Sequence, residues 1–167
     1  MTLINRRQTL LRTFGAMAAV AGAPFARAAG MGAVAGRTYE ITHTEAEWKA
    51  RLTSDEYLIL REGATERAHT SALADETASG IYHCAGCNLP LYFSEKKFYS
   101  PTGWPSFWAP IPQAIDEVRD DSLGMLRTGI SCQRCGSHIG HVFNDGPQPT
   151  GLRYCMNGLS LQFERTA

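Results

Sequence analysis

Apolar positions along this chain change their spacing near residue 80. Upstream, Trp48 and Leu52 stand four apart behind Thr44-Glu45-Ala46-Glu47, a capping-box pattern, and predict a short helix with one apolar stripe. Ser54 can cap a second helix, with Tyr57, Leu58 and Leu60 turned inward and Gly63 at its end. From Gly80 onward the pattern becomes a series of short runs rich in β-branched and aromatic residues. These are 81–83, 91–93, 115–118, 123–130, 139–143 and 159–163, separated by Gly, Pro, Asn and Asp. Such spacing suits antiparallel strands better than βαβ units. The expected fold class is α+β, predominantly β, with two N-terminal helices packed on a small antiparallel, barrel-like sheet.

Composition changes the picture mainly at the N-terminus. The 167 residues suit one domain, and a hydrophobic content of 44% is enough for a core. The formal net charge of zero hides an asymmetry: the first 28 residues hold Arg6, Arg7, Arg12 and Arg27 and no acid. Without them 12 basic residues face 16 acidic ones, a net of −4. Residues 5–11 read as a basic leader, 13–25 as a short apolar run and Ala26-Arg27-Ala28 as a cleavage site, so 1–28 is an expected export signal. Paired Arg6-Arg7 suggests the twin-arginine route, although Thr9 stands where that signal usually has a bulky apolar residue. The apolar run is too short to span a bilayer, for which ~20 helical residues are needed. The expected product is therefore an exported, periplasmic protein with no stable membrane insertion. Residues 29–37 are expected to be a linker and 38–167 a single domain acting as a monomer.

Cysteine spacing supplies the first chemistry. Cys84-Ala85-Gly86-Cys87 and Cys132-Gln133-Arg134-Cys135 form two Cys-x-x-Cys knuckles, each followed by a residue suited to a tight turn, Asn88 or Gly136. Four thiolates so paired suit one structural zinc ion. A pair of redox-active dithiols or a four-thiolate iron site would use the same residues. Pro90 argues against a helix continuing from Cys87, as a thioredoxin-like motif would require. A closed four-thiolate site leaves no position for chemistry and makes Cys155 the odd thiol, either a buried small hydrophobe or a working nucleophile.

Several residue types could converge on Cys155. Arg153 and Asn157 flank it at strand spacing, placing them on its face. His138 and His141 are three apart, so only a bend at Gly140 would bring both imidazoles to one site. Asp145 sits in an Asn-Asp-Gly-Pro turn, and Trp104 lies in the aromatic loop 103–108 with Trp108. A guanidinium and an imidazole beside a thiol can lower its pKa enough to populate a thiolate at neutral pH. Taken singly, each also has a structural reading as an edge cap, a surface charge or a core aromatic.

In order, Cys84-Ala85-Gly86-Cys87, Leu89-Pro90-Leu91, Gly103-Trp104-Pro105-Ser106-Phe107, Cys132 to Cys135, the run from His138 to Pro147, and Arg153-Tyr154-Cys155-Met156-Asn157-Gly158 resemble the motifs of the peptide-methionine (R)-S-oxide reductases. The resemblance spans about Thr44 to Phe163. It implies a β-rich fold with zinc on Cys84, Cys87, Cys132 and Cys135, and Cys155 as nucleophile. His138, His141, Asp145, Arg153 and Asn157 would form its polar surround, and Trp104 and Phe143 the substrate side, with Trp104 receiving the methyl group. It further implies selectivity for the R epimer of methionine sulfoxide in oxidised proteins, and for the free amino acid as a possible second substrate. Many relatives carry a resolving cysteine just before Gly-Trp-Pro-Ser-Phe, but this chain has Thr102 there. A Cys155 sulfenic acid would then depend on a thioredoxin-like protein or a small thiol. Two other functions fit the residues: a non-catalytic zinc-stabilised binding module and a thiol peroxidase. Nucleic-acid binding is disfavoured by the acidic balance and the lack of a basic stripe.

Overall fold

A computed structural model describes residues 36–121, 124 and 126–166. The expected export signal and nearly all of the linker lie outside these residues, as does Leu123, where one strand was expected to begin.

Helix α1 (Glu45–Arg51) starts at the expected capping box: the Thr44 side chain accepts the Glu47 amide at 3.3 Å, and the Glu47 carboxylate accepts the Thr44 amide at 2.7 Å. Helix α2 (Ser54–Glu62) is capped by Thr53 and not by Ser54. The reason is the third residue on: Glu56 follows Thr53 and closes a second reciprocal box, whereas Tyr57 follows Ser54 and cannot. Gly63 ends the helix in a left-handed conformation, as expected. Leu58 faces solvent instead of the core, while Ile59 and Leu60 are buried. At about 100° per residue, positions 58 and 60 point to nearly opposite sides of a helix, so both could not turn inward.

Among the described residues nine strands follow: β1 (Gly80–Cys84), β2 (Pro90–Phe93), β3 (Lys97–Phe98), β4 (Ser106–Phe107), β5 (Ile115–Asp120), β6 (Arg127–Cys132), β7 (His138–Phe143), β8 (Arg153–Met156) and β9 (Leu161–Arg165). They form two sheets, with orders β2-β1-β9 and β3-β4-β8-β7-β6-β5, and every pairing is antiparallel. Neither order closes on itself, so the described residues give no barrel to match the barrel-like expectation. The last strand starts two residues later than expected, at Leu161, because Gly158–Ser160 forms a 3-10 turn before β9, and it runs on to Arg165.

The core lies between aromatic faces of the two sheets. Tyr92 stacks on Phe107 with ring centroids 4.3 Å apart, and Tyr82 meets Phe107 edge-on at 4.9 Å. Tyr92 Oη also donates to Met156 Sδ at 3.1 Å. Phe107 pairs in register with Tyr154, and Ser106 with Cys155. Strand alternation therefore sends Phe107, Tyr154 and Met156 into the core and turns Ser106 and Cys155 to the opposite face. Among the described residues no helix is long and apolar enough to cross a membrane.

Candidate active site and metal centre

Cys155 sits mid-sheet, with Ser106 of β4 opposite on one side and His141 of β7 on the other. Its half-buried thiol stands among the side chains of Thr102, Ser106 and Arg153. Close approach of β7 and β8 depends on Gly140, where a Cβ would fall 2.2 Å from Cys155 O and 2.8 Å from Met156 Cα.

The two imidazoles do meet. Between β6 and β7 the register slips: Ser131 pairs with His138 while Ile130 pairs with Gly140, so Ile139 is the extra residue of a β-bulge. The bulge turns His138 to the face of His141, and their ring centroids stand 5.1 Å apart, edge to face. The bend expected at Gly140 is thus centred one residue earlier. His141 Nε2 lies 2.6 Å from Asp120 Oδ2, which also receives Arg127 Nη2 at 2.8 Å. His138 Nε2 is buried with no hydrogen-bond partner among the described residues.

Arg153 is buried and oriented by three contacts. Its Nε and Nη2 each donate to Asp145 at 2.9 Å, and its guanidinium stands 4.5 Å from the Phe143 ring centroid. Asp145 is largely exposed and acts through Arg153, whose hydrogen bonds hold its carboxyl below the usual carboxylate range. Asp145, Phe143, Arg153 and Cys155 thus form one continuous row.

These charges do not give the resting thiolate expected from the sequence. Burial pushes the Cys155 thiol above its ordinary value, and the opposing pull of the Arg153 charge and of the polar Thr102 and Ser106 side chains does not cancel it. Both imidazoles move the other way. Burial, with the neighbouring His141, lowers His138 to about 4. Burial lowers His141 as well, although the Asp120 hydrogen bond opposes it. At neutral pH the resting site therefore holds a protonated thiol and neutral imidazoles.

Asn157 differs from its expected placement. Strand β8 ends at Met156, and the Asn157 side chain bonds the main chain, with Oδ1 accepting Glu66 N–H at 3.1 Å and Nδ2 donating to Ile139 O at 3.2 Å. Trp104 is half-buried and belongs to the loop, not the core; its Nε1 donates to Glu66 O at 3.2 Å. The loop is tied to Cys155's own strand by Met156 N–H to Pro105 O at 2.9 Å.

The four remaining cysteines gather as expected, with Sγ atoms all within 4.8 Å of one another. The close pairs lie across the knuckles, Cys84 to Cys135 at 3.7 Å and Cys87 to Cys132 at 3.5 Å. A tetrahedron of thiolates with ~2.3 Å bonds to zinc has edges of about 3.8 Å, so the donor set and spacing fit a metal ion. Hydrogen bonds within the cluster lower Cys135 and Cys87 and raise Cys84 and Cys132. Asn88 and Gly136 take the left-handed conformation that the tight turns require, and their amides bond Cys84 O and Cys132 O at 2.8 Å. Cys84 ends β1 and Cys132 ends β6, so the cluster joins the two sheets. The helices secure it. The Arg61 guanidinium lies 4.6 Å over the Trp48 ring and donates to Cys135 O and Ser137 Oγ.

Residues 52–165 match the SelR domain family. Three similar proteins, each named peptide methionine sulfoxide reductase MsrB, come from Methylibium petroleiphilum, Leptospira interrogans and Thiobacillus denitrificans. The first is 52% identical, covering 75% of this chain and 91% of the relative. The second is 48% identical over 76% and 98%, and the third 54% identical over 72% and 92%. This chain belongs to the methionine sulfoxide reductase B family.

Within this family member, Thr102 stands beside the Cys155 thiol. Two residues at the site escaped the sequence reading. Asp120 supports His141 from two strands away, and Glu66 reaches Asn157 across 91 residues of sequence. No local pattern marks either one. A carboxylate near the end of a strand and another after a helix resemble ordinary surface acids until the register is known.

Proposed function

We propose that this protein reduces the R epimer of methionine sulfoxide, in oxidised proteins and as the free amino acid, through a sulfenic acid on Cys155. The observation that carries the reading is the register that sets the Cys155 thiol between His141 and Ser106, beside Arg153, within the family's Arg-Tyr-Cys-Met-Asn motif. A sulfoxide is a poor electrophile until its oxygen takes a proton. The thiol and neutral His141 hold the same number of protons as a thiolate and an imidazolium, so one transfer activates both partners. His141 suits this task better than His138, because it stands opposite Cys155 and Asp120 can stabilise its charged form.

Sulfur of Cys155 then attacks the protonated sulfoxide sulfur. The S–O bond to methionine breaks, an S–OH bond forms on Cys155, and the substrate sulfur is reduced by the two electrons that Cys155 loses. Trp104 and Phe143 line the apolar side of the substrate and Arg153 the developing charge. An external thioredoxin-like protein or small thiol attacks the sulfenic sulfur, releasing water and a mixed disulfide. A second thiol restores Cys155. Zinc on Cys84, Cys87, Cys132 and Cys135 is structural: it supplies folding energy and offers no open position. The leader at 1–28 would carry the enzyme to the periplasm.

The test is a stereospecific reduction assay with dithiol and thioredoxin-like reductants. The wild type should consume the R sulfoxide and spare the S epimer, and Cys155→Ser should be inactive with an unchanged melting temperature. Turnover by Cys155→Ser, or equal use of both epimers, overturns the reading.

A further inference from the structure

Glu66 is a charged residue only 9% exposed. Burial of that degree is rare for a carboxylate unless its oxygens are satisfied. Here the satisfaction comes from the turn that follows the nucleophile strand: Oε1 accepts the Gly158 amide and Oε2 accepts the Leu159 amide at 3.1 Å. The main chain of the same residue reaches the other two sides. Its N–H donates to Asn157 Oδ1 and its carbonyl accepts the Trp104 indole N–H.

The neighbouring backbone repeats the grip. His69, in a left-handed conformation, donates its N–H to Gly103 O at 2.9 Å, one residue before Trp104. Ser71 packs so closely on Gly158 that a Cβ there would fall 1.8 Å from Ser71 Oγ. Segment 66–71 thus meets the loop carrying Trp104 at Glu66 and His69, and the turn after Cys155 at Glu66 and Ser71. Glu66 is the residue that bonds both. Removing its carboxylate would free the Gly158 and Leu159 amides and loosen the main chain whose carbonyl accepts the indole N–H.

Building on the proposed activity, we propose that Glu66 is a positioning residue that fixes Trp104 relative to the turn after the Cys155 strand, and thereby restricts the smaller sulfur substituent of the substrate to methyl. A rigid apolar pocket distinguishes one methylene by roughly 10- to 200-fold, and that discrimination falls when a wall is free to move.

The test compares wild type, Glu66→Gln and Glu66→Ala on methionine sulfoxide and its S-ethyl homologue, ethionine sulfoxide. Glutamine keeps the size of the side chain but turns an NH2 toward one of the two amides. The wild type should favour methyl by about 10-fold or more in kcat/KM. The ratio should fall at least about 3-fold in Glu66→Gln and further in Glu66→Ala, through KM more than kcat, with the rate of Cys155 alkylation unchanged. A second measurement needs no turnover: hydrogen exchange of the Trp104 indole N–H should be faster in Glu66→Gln than in wild type. An unchanged methyl-to-ethyl ratio with wild-type indole exchange in folded Glu66→Gln overturns the role of Glu66 alone. Failure of the wild type to reduce either sulfoxide overturns the underlying activity, and this assignment with it.

Discussion

Acidification should destabilise this protein through His138, and the size of the effect follows from its burial. The ring is 3% exposed and its Nε2 lacks a partner among the described residues, so protonation would place a charge where little can solvate it. In the folded state the imidazole titrates at about 4, against 6.5 for an unperturbed ring. The unfolded chain therefore takes up this proton at higher pH than the folded chain does. Stability from this group is complete above about pH 6.5, falls as pH drops toward about 4, and changes no further below that. At about 1.4 kcal/mol per pH unit the full loss is about 3 kcal/mol, of which about 2 kcal/mol is reached by pH 5. Against a typical domain stability of ~5–15 kcal/mol this is large enough to measure.

The assay is urea unfolding of wild type and His138→Phe at pH 7 and pH 5. Phenylalanine keeps the ring volume and does not titrate. Protonation of the metal-binding thiolates and of the other histidines weakens both proteins, and the difference between the two pH responses removes those shared contributions. Wild type should lose about 2 kcal/mol more than the variant over this interval. Equal losses would show that the folded protein solvates the His138 charge, and the neutral resting state of the site would fall with it.

Gly140→Ala should separate β7 from β8, because the new methyl meets Cys155 O at 2.2 Å. Expected are a loss of about 1–3 kcal/mol in thermal unfolding and a larger proportional loss in kcat/KM, since His141 moves from Cys155; wild-type values in both would refute the close approach. Chelation of the metal should make four further thiols open to alkylation and lower the melting temperature sharply; no gain in alkylated thiols after complete metal removal would refute the four-cysteine centre. Thr102→Cys should let one equivalent of sulfoxide produce a disulfide between the introduced thiol and Cys155, seen by mass spectrometry, because the Thr102 side chain stands beside the Cys155 thiol. A persistent sulfenic acid in that variant would show that the two side chains cannot reach bonding geometry.

Local chemistry is readable wherever it is written within a few residues. The capping box at Thr44 and Glu47, the left-handed Asn88 and Gly136, and the pairing of four cysteines all depend on short spacing, and each has its structural counterpart. The bulge is readable as a requirement, since two histidines three apart need one to share a face, but its centre at Ile139 depends on pairing with β6. Strands β3 and β4 span two residues each, too few for an alternation to register, and they exist because neighbouring strands hold them. Glu66 and Asp120 gain their meaning from contacts made by the register and the chain crossing, which one-dimensional spacing does not encode. The protonation of Cys155 departs from expectation for a related reason: the sequence shows the neighbouring cation but not the depth of burial that outweighs it.

That depth of burial gives the nucleophile a conditional character. A thiol and a neutral imidazole in a poorly solvating site are favoured over the corresponding ion pair, because burial penalises both charges. A sulfoxide bound beside them changes the balance by offering an oxygen that takes up the proton as the S–O bond breaks. On the proposed mechanism the reactive thiolate then forms where the intended substrate is already in place. A peroxide meeting the empty site encounters the protonated thiol, which is the poorer nucleophile, so the same feature weighs against a general peroxidase. The restraint matters more in a chain with Thr102 beside Cys155 than in one with a resolving cysteine. On the proposed mechanism its sulfenic acid would wait for an external thiol, and further oxidation to the sulfinic acid would be irreversible. Keeping the thiol protonated between substrates limits how often that exposed intermediate forms without a methionine to show for it.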